Sequence, residues 1–187
     1  MIYAIVAYGD PVLKKKAQEV AQGTDIKTLV EDMFETMYNA LGVGLAAPQI
    51  GKSLRVFVVD GEKYDEEDES LKGFKKAFIN PTIIEEIDDK WSVEEGCLSI
   101  PGNREQITRH QTLTIHYFDE EWEEHTETFS GMAARIIQHE YDHIEGTLFT
   151  DYLSPLKKRL LKKRLQGISK GDVDIDYKMK FPLVKTR

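Results

Sequence analysis

Apolar residues recur at every third or fourth position in two stretches of the chain, and this spacing predicts two buried helices. The first stretch follows a cap at Thr24 or Asp25 and ends at Gly42. Its apolar positions are Ile26, Leu29, Val30, Met33, Phe34, Met37 and Leu41. The second stretch is capped by Ser130 and continues through about Ile144. Two further helices are predicted where a capping residue is followed by proline at the first helical position. The helix starts are Asp10-Pro11, with a short helix through Lys16, and Ser154-Pro155, with a helix through Gln166.

Runs rich in β-branched and aromatic residues predict the strands. These runs are 54–59, 78–84 around Pro81, 106–118, 122–129 and 173–181. The runs 106–118 and 122–129 form a predicted hairpin, and the acidic residues 65–69 mark a solvated loop over 61–73. Helices and strands do not alternate regularly. The sequence therefore predicts an α+β fold, with antiparallel or mixed sheets packed around a central helix over 130–144.

Composition and length narrow the class of protein. A chain of 187 residues fits one domain, 1–187, with a C-terminal tail. The net charge of −8 argues against general nucleic-acid binding, and we expect no binding to DNA. No apolar run approaches the roughly 18–20 residues that span a membrane. Signal-peptide features are missing from the first residues, and the single cysteine, Cys97, suits a reducing compartment. We expect a cytoplasmic protein.

The strongest chemical signal is a His-Glu-x-x-His motif, which lies inside the second predicted helix at residues 139–143. Residues four apart share a helix face, so His139 and His143 can bind one metal ion while Glu140 stands beside it. The motif indicates metal-assisted hydrolysis. A catalytic metal ion usually takes three protein ligands, so we expect one more ligand elsewhere in the chain.

Three sources of the third ligand can be compared. One metalloprotease pattern needs a histidine at position 149, where this chain has Phe149, although Gly146 fits that pattern. A downstream carboxylate is the second source, but none of the candidates sits in an obvious ligand helix. The candidates are Glu145, Asp151, Asp172, Asp174 and Asp176. The third source is Cys97, and we favour it because thiolate is a strong metal ligand.

Three separated blocks of the chain resemble the peptide deformylase family. They are Gly42–Gln49, Glu95–Ser99 and Gln138–His143, and with Tyr8–Leu13 they spread the resemblance over roughly residues 1–165. The resemblance implies a cytoplasmic hydrolase of protein biosynthesis. Its activity would be N-terminal processing, in which the formyl group of formyl-methionine on new polypeptides is released as formate. The alternative is a small His-Glu-x-x-His metallopeptidase.

The resemblance also implies roles for the residues around the motif. Cys97, His139 and His143 would hold one divalent metal ion, whose bound water becomes acidic, and Glu140 would carry the proton to the leaving amine. The ion would be Fe²⁺ in the cell, with Zn²⁺, Ni²⁺ or Co²⁺ able to take the same site in purified protein.

Substrate binding is assigned from the same resemblance. The side-chain amide of Gln49 and the backbone N–H of Leu98 would stabilise the oxyanion, and the main chain near Gly44 would pair with the N-formylmethionyl peptide. The methionine side chain needs an apolar pocket, for which we expect residues on the metal-facing stripe of the motif helix and one residue of the glycine-containing loop. The expected pocket residues are Val43, Met132 and Ile136.

The sequence leaves more than one role open for each of two charged residues. Arg104 either anchors Glu95 or the substrate or is an ordinary surface residue. Asp142 either orients a ligand histidine or has a capping or solvated role. The remaining histidines are predicted to be surface or core residues. They are His110, His116 and His125.

The helix predicted after Ser154 combines an apolar stripe with a basic surface. The stripe is Leu156, Leu160, Leu161 and Leu165. The basic residues are Lys157, Lys158, Arg159, Lys162, Lys163 and Arg164. The stripe predicts a surface helix docked by its leucines. The local positive charge in an acidic chain, together with the resemblance, supports a second hypothesis, contact with ribosomal RNA near the exit of nascent chains.

Overall fold

The computed structural model describes residues 1–64, 66 and 68–184, and these residues form an α+β fold. The helices are α1 Lys27–Asn39, α2 Gly131–Ile144 and α3 Pro155–Ser169. The strands are β1 Ile5–Val6, β2 Gly44–Ala46, β3 Val56–Asp60, β4 Lys75–Cys97, β5 Ile100–Phe118, β6 Glu124–Ser130 and β7 Met179–Lys180. An antiparallel sheet contains β2-β3-β4-β5-β6 in that order, and β1 pairs in parallel with β7.

The main sheet carries one helix on each face, because successive side chains of a strand point to opposite faces. Phe57 and Val59 of β3 pack with α2 on one face. Val56 and Val58 of the same strand pack with α1 on the other face. Most residues of α2 are buried. The predicted central position of the helix that carries the His-Glu-x-x-His motif is therefore confirmed.

Several predicted helix boundaries were wrong in detail. The first long helix, α1, ends at Asn39, and Gly42 does not end it. Leu41 instead takes the left-handed backbone conformation, with φ of 56°, and the Gly42 N–H returns to the Met37 carbonyl. Asp10 caps a turn as predicted, but the turn is a 3-10 helix over Pro11–Lys14. No hydrogen bond from the Ser130 side chain caps α2 within the described residues.

The strands differ more from the prediction. The run at 78–84 belongs to the much longer β4, and the hairpin partner of this strand begins at Ile100, before the predicted start at 106. The predicted strand over 173–181 was wrong except at Met179–Lys180, because β1 offers it only two partners. In the acidic loop, Asp65 and Glu67 lie outside the described residues. No helix in the described parts of the chain is long and apolar enough to cross a membrane.

Helix α3 docks through only half of its predicted leucine stripe. Leu165 is buried and Leu161 is partly buried in a cluster with the N-terminal segment. Leu156 and Leu160 are 66% and 72% exposed. The helix also continues to Ser169, beyond the predicted end at Gln166. The N-terminal half of α3 therefore presents both apolar and basic side chains to solvent.

Candidate metal centre

The motif on α2 meets Cys97 at the end of β4. The Cys97 Sγ and imidazole nitrogens of His139 and His143 all lie within 4.8 Å of one another. Cys97 Sγ is 3.3 Å from His143 Nε2, and the two imidazole rings stand at 81° to each other. Ligand atoms bound at about 2.0–2.3 Å to one tetrahedral ion lie roughly 3–4 Å apart. The three residues therefore fit one metal ion.

Glu95 holds His139 from the side opposite the thiolate. Its Oε2 lies 2.9 Å from His139 Nδ1, so the other ring nitrogen is left to face Cys97. A histidine ligand is usually oriented by such a carboxylate. The sequence offered Asp142 as one candidate for this role. Asp142 instead accepts hydrogen bonds from Arg109 and from the Tyr152 hydroxyl.

Glu95 is buried together with two arginines. Arg109 donates to both carboxylate oxygens, at 2.7 and 3.0 Å, and Arg135 donates to one of them at 2.8 Å. Burial alone would raise the pKa of Glu95, but the hydrogen bonds from His139 and Arg109 hold that pKa well below its usual range. Glu95 is therefore a fixed anion behind His139.

Arg104 does not anchor Glu95, so one of the three assignments left open for it is excluded. It pairs with Glu94 at 3.2 Å, and both side chains are more than half exposed. Neighbouring residues of a strand point to opposite faces, so the partner of Glu94 cannot also reach Glu95. The two arginines that do so were missed. One available signal was Arg135, which lies four residues before His139 and therefore shares its face of α2.

Glu140 lies beside the three candidate ligands with its side chain buried. It is 4% exposed, and its Oε2 has no hydrogen-bond partner within the described residues. Burial raises the pKa of Glu140 to about 7, a value suited to accepting and donating a proton near neutral pH. A Cβ at Gly44 would collide with the Glu140 carboxylate. Gly44 is therefore required by the approach of this carboxylate.

The Gln49 amide points at the same centre. Gln49 is 1% exposed, and its Oε1 accepts a hydrogen bond of 2.9 Å from the Ala46 N–H. This bond fixes the amide so that Nε2 lies 3.4 Å from both Cys97 Sγ and Ser99 Oγ. Gln49 thus offers an oriented N–H donor next to the candidate metal ligands.

Leu98 lies in the turn between β4 and β5, directly after Cys97. Its side chain packs against the backbone of Gly42, where an added Cβ would stand 2.9 Å from Leu98 Cδ1. The Leu98 carbonyl accepts a hydrogen bond of 2.7 Å from the Tyr177 hydroxyl. The structure thus brings Leu98 to both Cys97 and the loop that leads to Gly44.

The three expected pocket residues share one apolar cluster. Ile136 is buried in it, and Val43 and Met132 are partly buried against it. The same cluster also forms the core between α2 and the sheet. Their proximity agrees with the expected pocket, and binding of a methionine side chain there stays a prediction.

The remaining histidines are engaged with other partners. His110 Nδ1 lies 2.9 Å from the Asp88 carbonyl, and His116 Nε2 lies 2.6 Å from Glu124. His125 Nε2 lies 2.7 Å from Asp119, in a polar group that also includes Glu123.

This chain is similar to known proteins in both sequence and fold. A family model described as polypeptide deformylase matches residues 2–159. A peptide deformylase of Cytophaga hutchinsonii is 60% identical over 186 residues, which are 99% of this chain and 100% of that protein. The crystal structure of peptide deformylase from Thermus thermophilus has a TM-score of 0.81 at 39% identity, covering 91% of this chain and 99% of that one. The enzyme from Ehrlichia chaffeensis also gives a TM-score of 0.81, at 34% identity over 92% and 99% of the two chains.

Proposed function

The chain belongs to the polypeptide deformylase family, and we propose that Cys97, His139 and His143 hold the metal ion on which its reaction depends. It is a metal-dependent hydrolase of protein biosynthesis that removes the formyl group from the N-terminal formyl-methionine of new polypeptides. The observation that carries the ligand assignment is the convergence of one thiolate and two imidazoles within 4.8 Å.

The proposed ion is Fe²⁺ in the cell, with Zn²⁺, Ni²⁺ or Co²⁺ as substitutes in purified protein. Thiolate and imidazole together suit all of these ions. When bound, such an ion supplies Lewis acidity towards water and the formyl carbonyl. The imidazole of His143 suits the role of metal ligand. Burial lowers its pKa and keeps the ring neutral, as a ligand must be.

Glu140 moves the proton in the proposed mechanism. Its carboxylate takes a proton from the attacking water and delivers it to the leaving amine nitrogen, so that formate and a free N-terminus result. The Gln49 Nε2–H and the Leu98 backbone N–H donate to the formyl oxygen as negative charge develops there. Glu95 keeps His139 in its orientation throughout.

The proposed substrate lies along the edge of the main sheet. Strand β2 is the edge strand and contains Gly44, so an extended peptide can add to it through main-chain hydrogen bonds. The methionine side chain then enters the apolar cluster. The proposed pocket residues are Val43, Met132 and Ile136. A contact between the exposed Arg104 and the peptide stays a prediction.

We also propose that residues 1–187 work as one catalytic domain in the cytoplasm. The candidate centre combines Gln49 near the N-terminal third of the chain, Cys97 from β4 and the motif on α2. A part of the chain alone would therefore lack part of the site. Formylated new polypeptides and a reduced Cys97 both fit the cytoplasm.

Replacing Cys97 with serine is expected to lower metal affinity by at least about tenfold, because a neutral hydroxyl is a poorer ligand than thiolate. Metal analysis of anaerobically purified protein, followed by competition with a chelator, measures this change. The His110→Ala variant is the control, since His110 contacts the Asp88 carbonyl and lies in neither group of side chains that could hold a metal ion. Retention of metal by Cys97→Ser equal to that of the control would contradict the ligand assignment.

Ribosome contact through α3 is proposed from its exposed surface. Lys157, Lys158 and Arg164 bond to acceptors within the protein. The exposed Arg159, Lys162 and Lys163 are on the same helix. Replacing all six basic residues with serine is expected to abolish co-sedimentation with ribosomes at low salt, because phosphate contacts supply most of such binding.

The control for this test replaces six surface lysines outside α3 with serine, which changes the net charge in the same direction. Wild-type binding should also weaken steeply as salt is raised. Co-sedimentation that is unchanged by the six α3 substitutions would exclude this surface as the ribosome contact.

A further inference from the structure

The segment after α3 reaches the turn that carries Leu98. Strand β7 in this segment pairs with β1, and Tyr177, two residues earlier, donates its hydroxyl to the Leu98 carbonyl at 2.7 Å. The Tyr177 ring and the Leu98 side chain pack against the same hydrophobic cluster. The family match ends at residue 159, so this contact comes from a part of the chain that the match does not include.

The turn between β4 and β5 is held from more than one side. The Tyr8 N–H donates to the Ser99 carbonyl at 2.8 Å, and Gln49 Nε2 lies 3.4 Å from Ser99 Oγ. The Tyr177 bond acts one residue earlier, on Leu98 itself. It therefore constrains the Leu98–Ser99 peptide group, which is one peptide group closer to the candidate metal ligand Cys97 than the group held by Tyr8.

Anchoring the Leu98 carbonyl also restrains the Leu98 N–H. The two planar peptide groups share the Leu98 Cα, so when the partly buried Tyr177 hydroxyl fixes one of them, only φ and ψ of Leu98 are left to move the other. An N–H that stabilises an oxyanion acts over about 2.7–3.1 Å and loses its effect when it is displaced. The Leu98 side chain, packed on Gly42, transmits the same restraint to the loop before Gly44.

We propose that Tyr177 is a positioning residue for deformylation, which holds the Leu98 turn so that the Leu98 N–H faces the formyl oxygen. The proposal rests on the role of Leu98 under the proposed function. It assigns to the C-terminal segment a part in catalysis without contact between that segment and the substrate.

The test compares Tyr177→Phe with Tyr3→Phe. Both substitutions remove one hydroxyl from a partly buried ring packed against the same cluster. The Tyr3 hydroxyl bonds to Asp32 at 3.3 Å, away from the turn. The two variants should therefore lose similar thermal stability, with a fall in Tm of about 2–4 °C each, and only Tyr177→Phe alters the restraint on Leu98.

Kinetics on a formyl-Met peptide and amide hydrogen exchange provide two independent readouts. For Tyr177→Phe we expect kcat to fall about tenfold with KM within about twofold of wild type, because the restraint acts on the transition state. Amide exchange over residues 98–100 should accelerate in this variant and not in Tyr3→Phe.

Three outcomes can be distinguished. Kinetics and exchange equal to those of Tyr3→Phe would overturn the proposal for Tyr177. Faster exchange with unchanged kcat would also overturn it, since the turn would then be looser without consequence for the reaction. If wild-type protein loaded with metal releases no formate from the same peptide, the proposed function itself fails, and Tyr177 has no deformylation to support.

Discussion

The Glu140→Ala variant is expected to lose about 10³-fold in kcat for formate release while it still binds the metal ion. Proton transfer by a positioned carboxylate contributes typically 10²–10⁴-fold to a rate. Glu140 lies beside the candidate ligands, and burial raises its pKa to about 7, so it can both accept and deliver the proton. The three ligand side chains are unchanged in this variant, so metal affinity should stay close to that of wild type.

The isosteric variant Glu140→Gln separates chemistry from packing. Glutamine fills the space next to Gly44 that alanine leaves empty, but it cannot carry the proton. Both variants should therefore be similarly inactive, and both should contain metal when measured by elemental analysis. Activity of Glu140→Ala within a few-fold of wild type would contradict the mechanism.

The Glu95→Ala variant is expected to lose about 3–5 kcal/mol of unfolding free energy, the usual effect of removing one partner from a buried ion pair. Arg109 and Arg135 are 7% and 2% exposed, and both would keep a buried charge without this carboxylate. His139 would also lose its orienting partner, which typically weakens metal binding 10–100-fold. Urea unfolding and chelator competition measure the two effects.

Glu94→Ala is the matched control, because Glu94 precedes Glu95 on the same strand and points to the opposite face. Its ion pair with Arg104 is exposed, and such pairs are worth about 0–1 kcal/mol. The milder Glu95→Gln variant keeps the shape and part of the hydrogen bonding if the alanine variant does not fold. Equal stability of Glu95→Ala and Glu94→Ala would show that Glu95 has no such structural role.

Periodicity in the sequence identified the long helices, because a helix that buries one face needs apolar residues at every third or fourth position. It placed α2 between residues 130 and 144 and indicated its central position. It placed the end of α1 at Gly42, since glycine is the common residue for a left-handed helix end. The chain uses Leu41 in that conformation instead. The two-residue β7 could not be predicted, because its length depends on β1, about 170 residues earlier in the chain.

The sequence revealed those residues of the candidate site that lie close together along the chain. His139, Glu140 and His143 lie within one helical turn or so of each other, and Cys97 followed from the need for a third ligand. The partners of Glu95 were not found, because Arg109 reaches it through pairing of β4 with β5 and Arg135 through packing of α2. The contact of Tyr177 with Leu98 spans 79 positions and likewise has no local signal.

The most direct test of the central claim is formate release from formyl-Met-Ala-Ser by the metal-loaded protein. Unmodified Met-Ala-Ser and a peptide with only an internal bond to cleave are assayed beside it. We predict formate and free Met-Ala-Ser from the first peptide and no cleavage of the other two. Cleavage of the peptide bonds without formate release would contradict deformylation and identify a metallopeptidase.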